Sequence, residues 1–383
     1  MARVPDPIAL YVHWPFCVSK CPYCDFNSHV RASVDQAVWR TALLADMAHE
    51  AALTPGRPIG SIFFGGGTPS LMPPKTVAAV IDAAARLWGL PSGTEITLEA
   101  NPSSVEAARF ADLAAAGVNR VSLGLQALDD EALKFLGRAH DVVEGLAALE
   151  VAQRHFGRVS FDLIYARPGQ SLGAWEAELA RALSLGTEHL SLYQLTIEPG
   201  TRFATEAAAG RLSLPDEDLA ADLFHATRTT TAAAGLPAYE ISNHARPGAE
   251  SRHNLTYWRM GDYVGIGPGA HGRRGGVATV RHRKPENWLA AVASKQHGIA
   301  EQEALLLAQR LTEALVMGLR TREGVSLTRL AALGDVPVDQ AIDVGAAQRL
   351  AAQGMVTLSG DRLAVTDAGM LVLNAILAEV AVG

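Results

Sequence analysis

At 383 residues the chain has room for two to three domains and a sizeable core. Its 49% hydrophobic and 19% charged residues exclude an intrinsically disordered chain. Its 33 basic against 40 acidic side chains, a net charge of -7, exclude a global electrostatic attraction to nucleic acid or to an anionic membrane surface.

Met1–Leu10 carries no apolar run of the kind a signal peptide or membrane anchor needs, so a cytoplasmic protein is expected. Residues 9–13 predict the first strand. The chain's three cysteines follow it at once as Cys17-x-x-x-Cys21-x-x-Cys24, too few and too close for a structural disulfide set. A helix is predicted over 34–53, then a strand over 61–64 that runs into Gly65-Gly66-Gly67-Thr68. Helix 74–87, strand 95–99, helix 104–116, strand 120–123, helices 129–136 and 142–156, strand 159–164, helix 172–185 and strand 189–193 complete the series. Six strand–helix alternations predict an α/β fold around a parallel sheet, doubly wound or curled into a full or partial barrel. Chemistry is then expected beyond the carboxyl ends of the strands.

Residues 1–195 are thus expected to form the core, and 196–299 an irregular extension. Residues 300–383 read as a winged-helix-like module: a helical block, a hairpin around Ser359-Gly360-Asp361, and a last apolar helix. That module holds ten acids against six arginines from 301 to 383, which disfavours phosphate contact, so no nucleic-acid partner is expected.

Three thiolates at this spacing can cap three irons of a cubane cluster and leave the fourth without a protein ligand. An amine and a carboxylate on one small molecule can chelate that iron, and S-adenosylmethionine (SAM) carries both. A closed zinc site of the three cysteines with His13 or His29 is the competing reading. Asp162, inside an apolar strand, needs a hydrogen-bonding partner. The amides of the glycine run could hold the polar end of a methionyl group, and Arg138 could pair with its carboxylate.

The motifs Tyr11-Val-His-Trp-Pro-Phe-Cys17, Phe64-Gly-Gly-Gly-Thr-Pro-Ser70, Glu99-Ala-Asn-Pro102, Asn119-Arg-Val-Ser-Leu-Gly-Leu-Gln126, Gly137-Arg-Ala-His140 and Tyr239-Glu-Ile-Ser-Asn-His-Ala-Arg-Pro-Gly248 occur in order. This series resembles the radical SAM superfamily, in the group of oxygen-independent coproporphyrinogen oxidases and HemW-type heme chaperones. The resemblance implies a radical SAM (β/α)6-type partial barrel. It also implies a [4Fe-4S] cluster on Cys17, Cys21 and Cys24, and SAM contacts from Tyr11, Gly66, Gly67, Thr68, Glu99, Gln126, Arg138 and Asp162. One departure is Ala166-Arg167, where the group commonly has Gly-Leu, which puts the local turn and the channel lining in question.

Within that group the oxidases typically carry a further cysteine two residues after the third, where this chain has Cys24-Asp25-Phe26. The chaperones instead share a His-Asn-x-x-Tyr-Trp motif, present here as His253-Asn254-Leu255-Thr256-Tyr257-Trp258. The resemblance therefore implies a heme chaperone that passes heme to acceptor hemoproteins, respiratory ones among them. Peripheral contact with membrane-bound acceptors and a homodimer belong to the same expectation. An imidazole is a common axial ligand to heme iron, and Tyr257 and Trp258 offer flat faces, so His253, Asn254, Tyr257 and Trp258 are expected at the heme. Residues 244–284 carry eight basic side chains against two acids, a net +6 expected to receive the heme carboxylates. No residue is assigned a catalytic role. The alternatives are a coproporphyrinogen III oxidase and a zinc-stabilised binding module.

Overall fold

A computed structural model describes residues 6–382; the first half of the Met1–Leu10 stretch lies outside them. The six expected strands form as Ile8–Trp14, Ile59–Gly66, Glu95–Ala100, Arg120–Gln126, Arg158–Tyr165 and His189–Gln194. They pair in that order, every pair parallel. Helices return the chain between them, and the side chains of Asp35, Ser103, Asp129, Asp141 and Ser171 cap helix starts by accepting backbone N–H groups. The helix expected over 104–116 divides into Ser104–Ala107 and Phe110–Ala115. At the break Arg109 donates to the carbonyls of Ser70 (2.9 Å) and Met72 (2.6 Å).

Successive strand residues point to opposite faces, and here the two faces differ in kind. Leu10, Val12, Ile62, Phe64, Ile96, Leu98, Val121, Leu123, Phe161, Leu163, Leu190 and Leu192 belong to the main hydrophobic core. The alternate residues Tyr11, Phe63, Glu99, Arg120, Ser122, Asp162, His189 and Ser191 line a single cavity. Side chains from all six strands meet only if the sheet curls, so it forms a partial barrel with a polar lumen.

The stretch 196–299, expected to be irregular, contributes to the same sheet. Asn243–Ala245 adds antiparallel to the sixth strand. Tyr263–Ile266, inside the glycine-rich run, adds parallel to the first strand on its other side. His271–Arg274, Val277–Arg281 and Ile299–Ala304 continue antiparallel from there, giving eleven strands. The main tie is Asp46 on the helix Gln36–Leu53. Its carboxylate accepts from Arg281 Nε (2.8 Å) and Nη2 (3.1 Å), Trp288 Nε1 (3.2 Å), Gly267 N (3.2 Å) and Gly298 N (3.0 Å). Glu50, one turn on, accepts from Arg281 and Arg274.

Residues 305 onward pack helices around their own core and a three-stranded sheet, Val325–Ser326, Arg362–Val365 and Val356–Ser359, which forms the expected wing. No helix among the described residues is long and apolar enough to cross a membrane.

The Ala166-Arg167 departure resolves as a matter of packing. Ala166 occupies the left-handed region at φ 56°, where glycine is ordinarily favoured, and its methyl is buried. Arg167 lies against the helix Leu172–Ser184, where its Nη2 meets Glu178 Oε2 at 2.5 Å and its Nη1 meets the Ile164 carbonyl at 2.9 Å. Both partners of the pair are nearly enclosed, so Arg167→Leu should cost about 3 kcal/mol by stranding Glu178. Adding Glu178→Leu should recover much of that loss, a coupling that urea unfolding of the double-mutant cycle would register.

Candidate functional site

The cysteine loop is seated by glycines. Beside it, Phe16–Cys17 pairs with His29–Val30. A Cβ at Gly67 would lie 2.8 Å from the Phe16 carbonyl oxygen and 3.0 Å from Cys17 Sγ, and one at Gly137 would lie 2.6 Å from Pro22 Cδ. On the far side the turn at Gly269 packs on Asn27, whose Nδ2 donates to the carbonyls of Pro268 and Arg283, both at 2.9 Å. The expectation that the glycine amides are free for a ligand is corrected here. Gly66 N–H donates to Glu99 Oε2 (3.2 Å), Gly67 N–H to the Trp14 carbonyl (2.7 Å) and Thr68 N–H to the Phe16 carbonyl (2.9 Å). The glycines serve close approach of the cysteine loop.

The three cysteines are free and partly exposed. Thr68 Oγ1 donates to Cys17 Sγ (3.5 Å), Arg138 Nη1 donates to Cys21 Sγ (3.3 Å), and Ser28 Oγ lies 3.8 Å from Cys24 Sγ. Burial pushes the Cys17 and Cys24 thiols up, so a metal centre must supply the charge that keeps them as thiolates. Among the described residues no three His, Cys, Asp or Glu side chains gather closely enough to hold a single ion. His13 is turned into the protein, with Nδ1 at 2.9 Å from Tyr11 OH and Nε2 at 2.9 Å from the Asn27 carbonyl. His29 Nε2 lies 3.3 Å from Asn27 Oδ1. The zinc reading thus lacks its geometry. A cubane takes each cysteine on a separate iron and so does not need the three thiols to converge on one ion.

Arg138 sits beneath the loop. Besides Cys21 it donates from Nη2 to Asn101 Oδ1 (2.6 Å) and the Gly124 carbonyl (3.0 Å), and its buried Nε has no partner. The guanidinium expected to clasp a ligand carboxylate therefore keeps its buried Nε–H for one. Asn101, part of the Glu99-Ala-Asn-Pro102 motif but assigned no ligand from the sequence, links Arg138 to Thr68 Oγ1 (3.2 Å). Gln126, in the left-handed region at φ 71°, places its amide close to Gly124 beside Arg138.

Below these residues lies the barrel cavity, about 200 Å3. Burial, aided by the Asp162 charge, pushes Glu99 up to about 8, and burial pushes Asp162 up to about 6. Glu99 can therefore donate as well as accept at neutral pH. Arg120 Nη2 donates to Ser160 Oγ (3.0 Å), which lies 2.8 Å from Ser122 Oγ, and Ser122 donates to Asp162 (3.2 Å). A hydroxyl bridge thus joins a buried cation to a buried acid. Arg120, Ser122, His189, Ser191 and Asn243 were missed in the sequence. The signal was present: a strand buried in a parallel sheet should read as nearly continuous hydrophobics, and these strands alternate apolar with polar.

Of the residues expected at the heme, His253 is 1% exposed, with Nδ1 3.0 Å from Ser61 Oγ and Nε2 hydrogen-bonded to Tyr257 OH. Burial and the Arg120 charge push it down to about 3, keeping it neutral. His253, Asn254 and Tyr257 line the barrel cavity with Tyr11, Glu99 and Asp162; Trp258 does not. Four of the eight basic side chains of the 244–284 stretch are paired from elsewhere: Arg281 by Asp46 and Glu50, Arg274 by Glu50, Arg273 by Glu313, Arg259 by Glu323.

A second cavity, about 630 Å3, opens beside Cys21 and Cys24. Phe135 and Phe203, stacked at 4.8 Å, form part of its wall. Lys20, Lys134 and Arg202 also line it and make no ion pair among the described residues, whereas Arg211 is paired with Glu206.

Residues 11–182 match the Radical SAM superfamily, and 305–372 match the HemN C-terminal domain. A heme chaperone HemW from Mycobacterium tuberculosis is 35% identical over 376 residues, 97% of this chain and 94% of that protein. The chain belongs to the radical SAM superfamily, in its HemW group. Other members include the heme chaperone HemW of Escherichia coli, 45% identical over 276 residues, 71% of each chain. A bovine mitochondrial protein, radical S-adenosyl methionine domain-containing protein 1, is 45% identical over 327 residues, 83% of this chain and 74% of its own. The fold of this radical SAM chain is shared by the solved coproporphyrinogen III oxidase HemN of E. coli, with a TM-score of 0.81 at 23% identity, covering 98% of this chain and 91% of that one.

Proposed function

We propose that this protein is a cytoplasmic heme chaperone that binds heme and hands it to acceptor hemoproteins, carrying a [4Fe-4S] cluster and SAM. Two features support the cofactors: three free thiols in one loop, and a buried Arg138 Nε without a partner beneath them. When bound on Cys17, Cys21 and Cys24, the cluster supplies one iron able to take the amine and carboxylate of SAM. Thr68 and Arg138 hydrogen-bond the cysteine sulfurs, Arg138 Nε is left for the SAM carboxylate, and Glu99 and Asp162 suit ribose hydroxyls.

The observation that carries the carrier reading over the oxidase is the division of space. An oxidase must bring a porphyrinogen side chain next to SAM, yet the lumen below the SAM residues is about 200 Å3, smaller than pockets that enclose drug-sized ligands, ~300–1,000 Å3. The space of macrocycle size, about 630 Å3, lies beside Cys21 and Cys24. There Phe135 and Phe203 offer apolar faces, and Lys20, Lys134 and Arg202 suit heme carboxylates.

Anaerobic titration with heme tests this. Reconstituted protein should hold about four iron and four sulfide per chain and show a saturable absorbance change. Lys134→Glu with Arg202→Glu should weaken heme binding about tenfold or more. Sustained conversion of coproporphyrinogen with SAM and reductant would reject the chaperone reading. Unaltered heme affinity in the double variant would reject the outer site.

A further inference from the structure

Two sets of residues that the motifs assign to different ligands line one space. Tyr11, Glu99 and Asp162 belong to the SAM set, His253, Asn254 and Tyr257 to the heme set, and the lumen they share is about 200 Å3. A cavity of that size does not hold two large ligands, so an occupant seated between the carboxyls meets the helix Arg252–Trp258 as well.

The lumen also contains polar groups with nothing to bind. His189 Nδ1 and Asn243 Oδ1 are buried, line this cavity, and have no hydrogen-bond partner among the described residues. Leaving such groups unmet costs ~1–3 kcal/mol each, which points to an occupant that meets them. His253 contributes in another way. Ser61 and Tyr257 hold its two nitrogens, and its ring stacks on Phe63 with centroids 4.9 Å apart. An imidazole fixed in this manner forms an immobile wall.

We infer that the His253–Tyr257 turn is the floor of the SAM site and positions the nucleoside end of SAM, and that it does not ligate heme iron. The inference rests on the SAM reading of the cavity. The chemistry of the lumen is that of a nucleoside site. Glu99 and Asp162 suit a ribose diol, and the aromatic walls of Tyr11 and Phe63 suit a purine. The unmet acceptor of Asn243 and the ring nitrogen of His189 suit an exocyclic amine and a ring nitrogen of the base. Asn254, whose Nδ2 reaches only the Tyr239 hydroxyl at 3.4 Å, is available to the ligand. His253 is a positioning residue, acting through Phe63 and Tyr257.

The test measures SAM affinity by equilibrium dialysis and heme affinity by absorbance, in parallel, on the anaerobically reconstituted full-length protein. Asn254→Ala should raise the SAM Kd about tenfold, the size of one lost hydrogen bond to the ligand, and His253→Gln, which releases Phe63 and Tyr257 from the ring that holds them, should raise it as well. Their heme titrations should follow the wild type. SAM affinity within about twofold of wild type in Asn254→Ala would overturn the proposal. So would heme binding lost in His253→Gln with SAM uptake intact, the signature of an iron ligand. Wild-type protein that takes up no SAM would reject the SAM reading itself, and the floor with it, whatever the variants do.

Discussion

Gly67→Ala should yield a folded protein that no longer holds its cluster. The added methyl would sit 2.8 Å from the Phe16 carbonyl oxygen, 2.9 Å from the Pro15 carbonyl carbon and 3.0 Å from Cys17 Sγ. Two of the three are backbone atoms, which cannot swing aside as the tip of a flexible side chain can. Gly67 N–H is itself bound to the Trp14 carbonyl at 2.7 Å, so the turn cannot withdraw without losing that bond. The displacement must fall on the loop that carries Cys17. The apolar outer face of the sheet lies elsewhere, so circular dichroism and the urea midpoint should stay near wild type. Iron and sulfide should fall toward the level of a Cys21→Ser control. Full iron loading of Gly67→Ala would show that the close approach does not seat the loop.

Asp46→Ala should be the most destabilising single substitution in the core domain. Five donors converge on this one buried carboxylate, and all five come from segments far along the chain: two from Arg281, one from Trp288, and the amides of Gly267 and Gly298. Removing it strands the fully buried Arg281 guanidinium with Glu50 alone. Breaking a buried ion pair from one side costs about 3–5 kcal/mol, a large part of the ~5–15 kcal/mol that holds a typical domain together. Asp46→Asn, which keeps the acceptor oxygen, should cost less. Urea unfolding should show a lowered midpoint with an unchanged slope. A loss below about 1 kcal/mol would mean that Glu50 carries the pair unaided. The Gly267 amide is one of the five donors and its turn abuts the loop around Asn27, so cluster retention should fall together with stability in this variant.

These two sites mark where the sequence was readable. All six barrel strands, and the helices between them, were visible because strand and helix periods alternate cleanly and Ser or Asp stands at most helix starts. The winged module was visible for the same reason. The strands from 243 to 304 were not. Asn243–Ala245 and Tyr263–Ile266 are three and four residues long, too short for a period to show, and the second lies in a glycine run that reads as loop. Its partner, Ile8–Trp14, is some 250 residues away, and no local pattern announces a pairing at that distance.

In the site, the cysteines and the lumen acids were legible because each is costly without a partner. The states of their neighbours were not. Free glycine amides and a net +6 surface were fair inferences from residue type. Partners from elsewhere in the chain alter both: Trp14 and Phe16 accept from the amides, and Asp46, Glu50, Glu313 and Glu323 pair four of the arginines. Cys21 and Asn101 hold Arg138 in the same way and leave its Nε without a partner. The nitrogens of His253 are likewise engaged from outside its motif's first residues, by Ser61 and Tyr257.

The parallel pairing of Ala9 with Tyr263 bears on synthesis. The ribosome delivers the thiols early, yet the turn at Gly267–Gly269 that backs their loop emerges roughly 250 codons later, tens of seconds at ~5–20 residues per second. Through that interval the nascent cysteines lack their rear support. A ribosome stalled before that strand would display the cysteine loop without the turn that packs on Asn27.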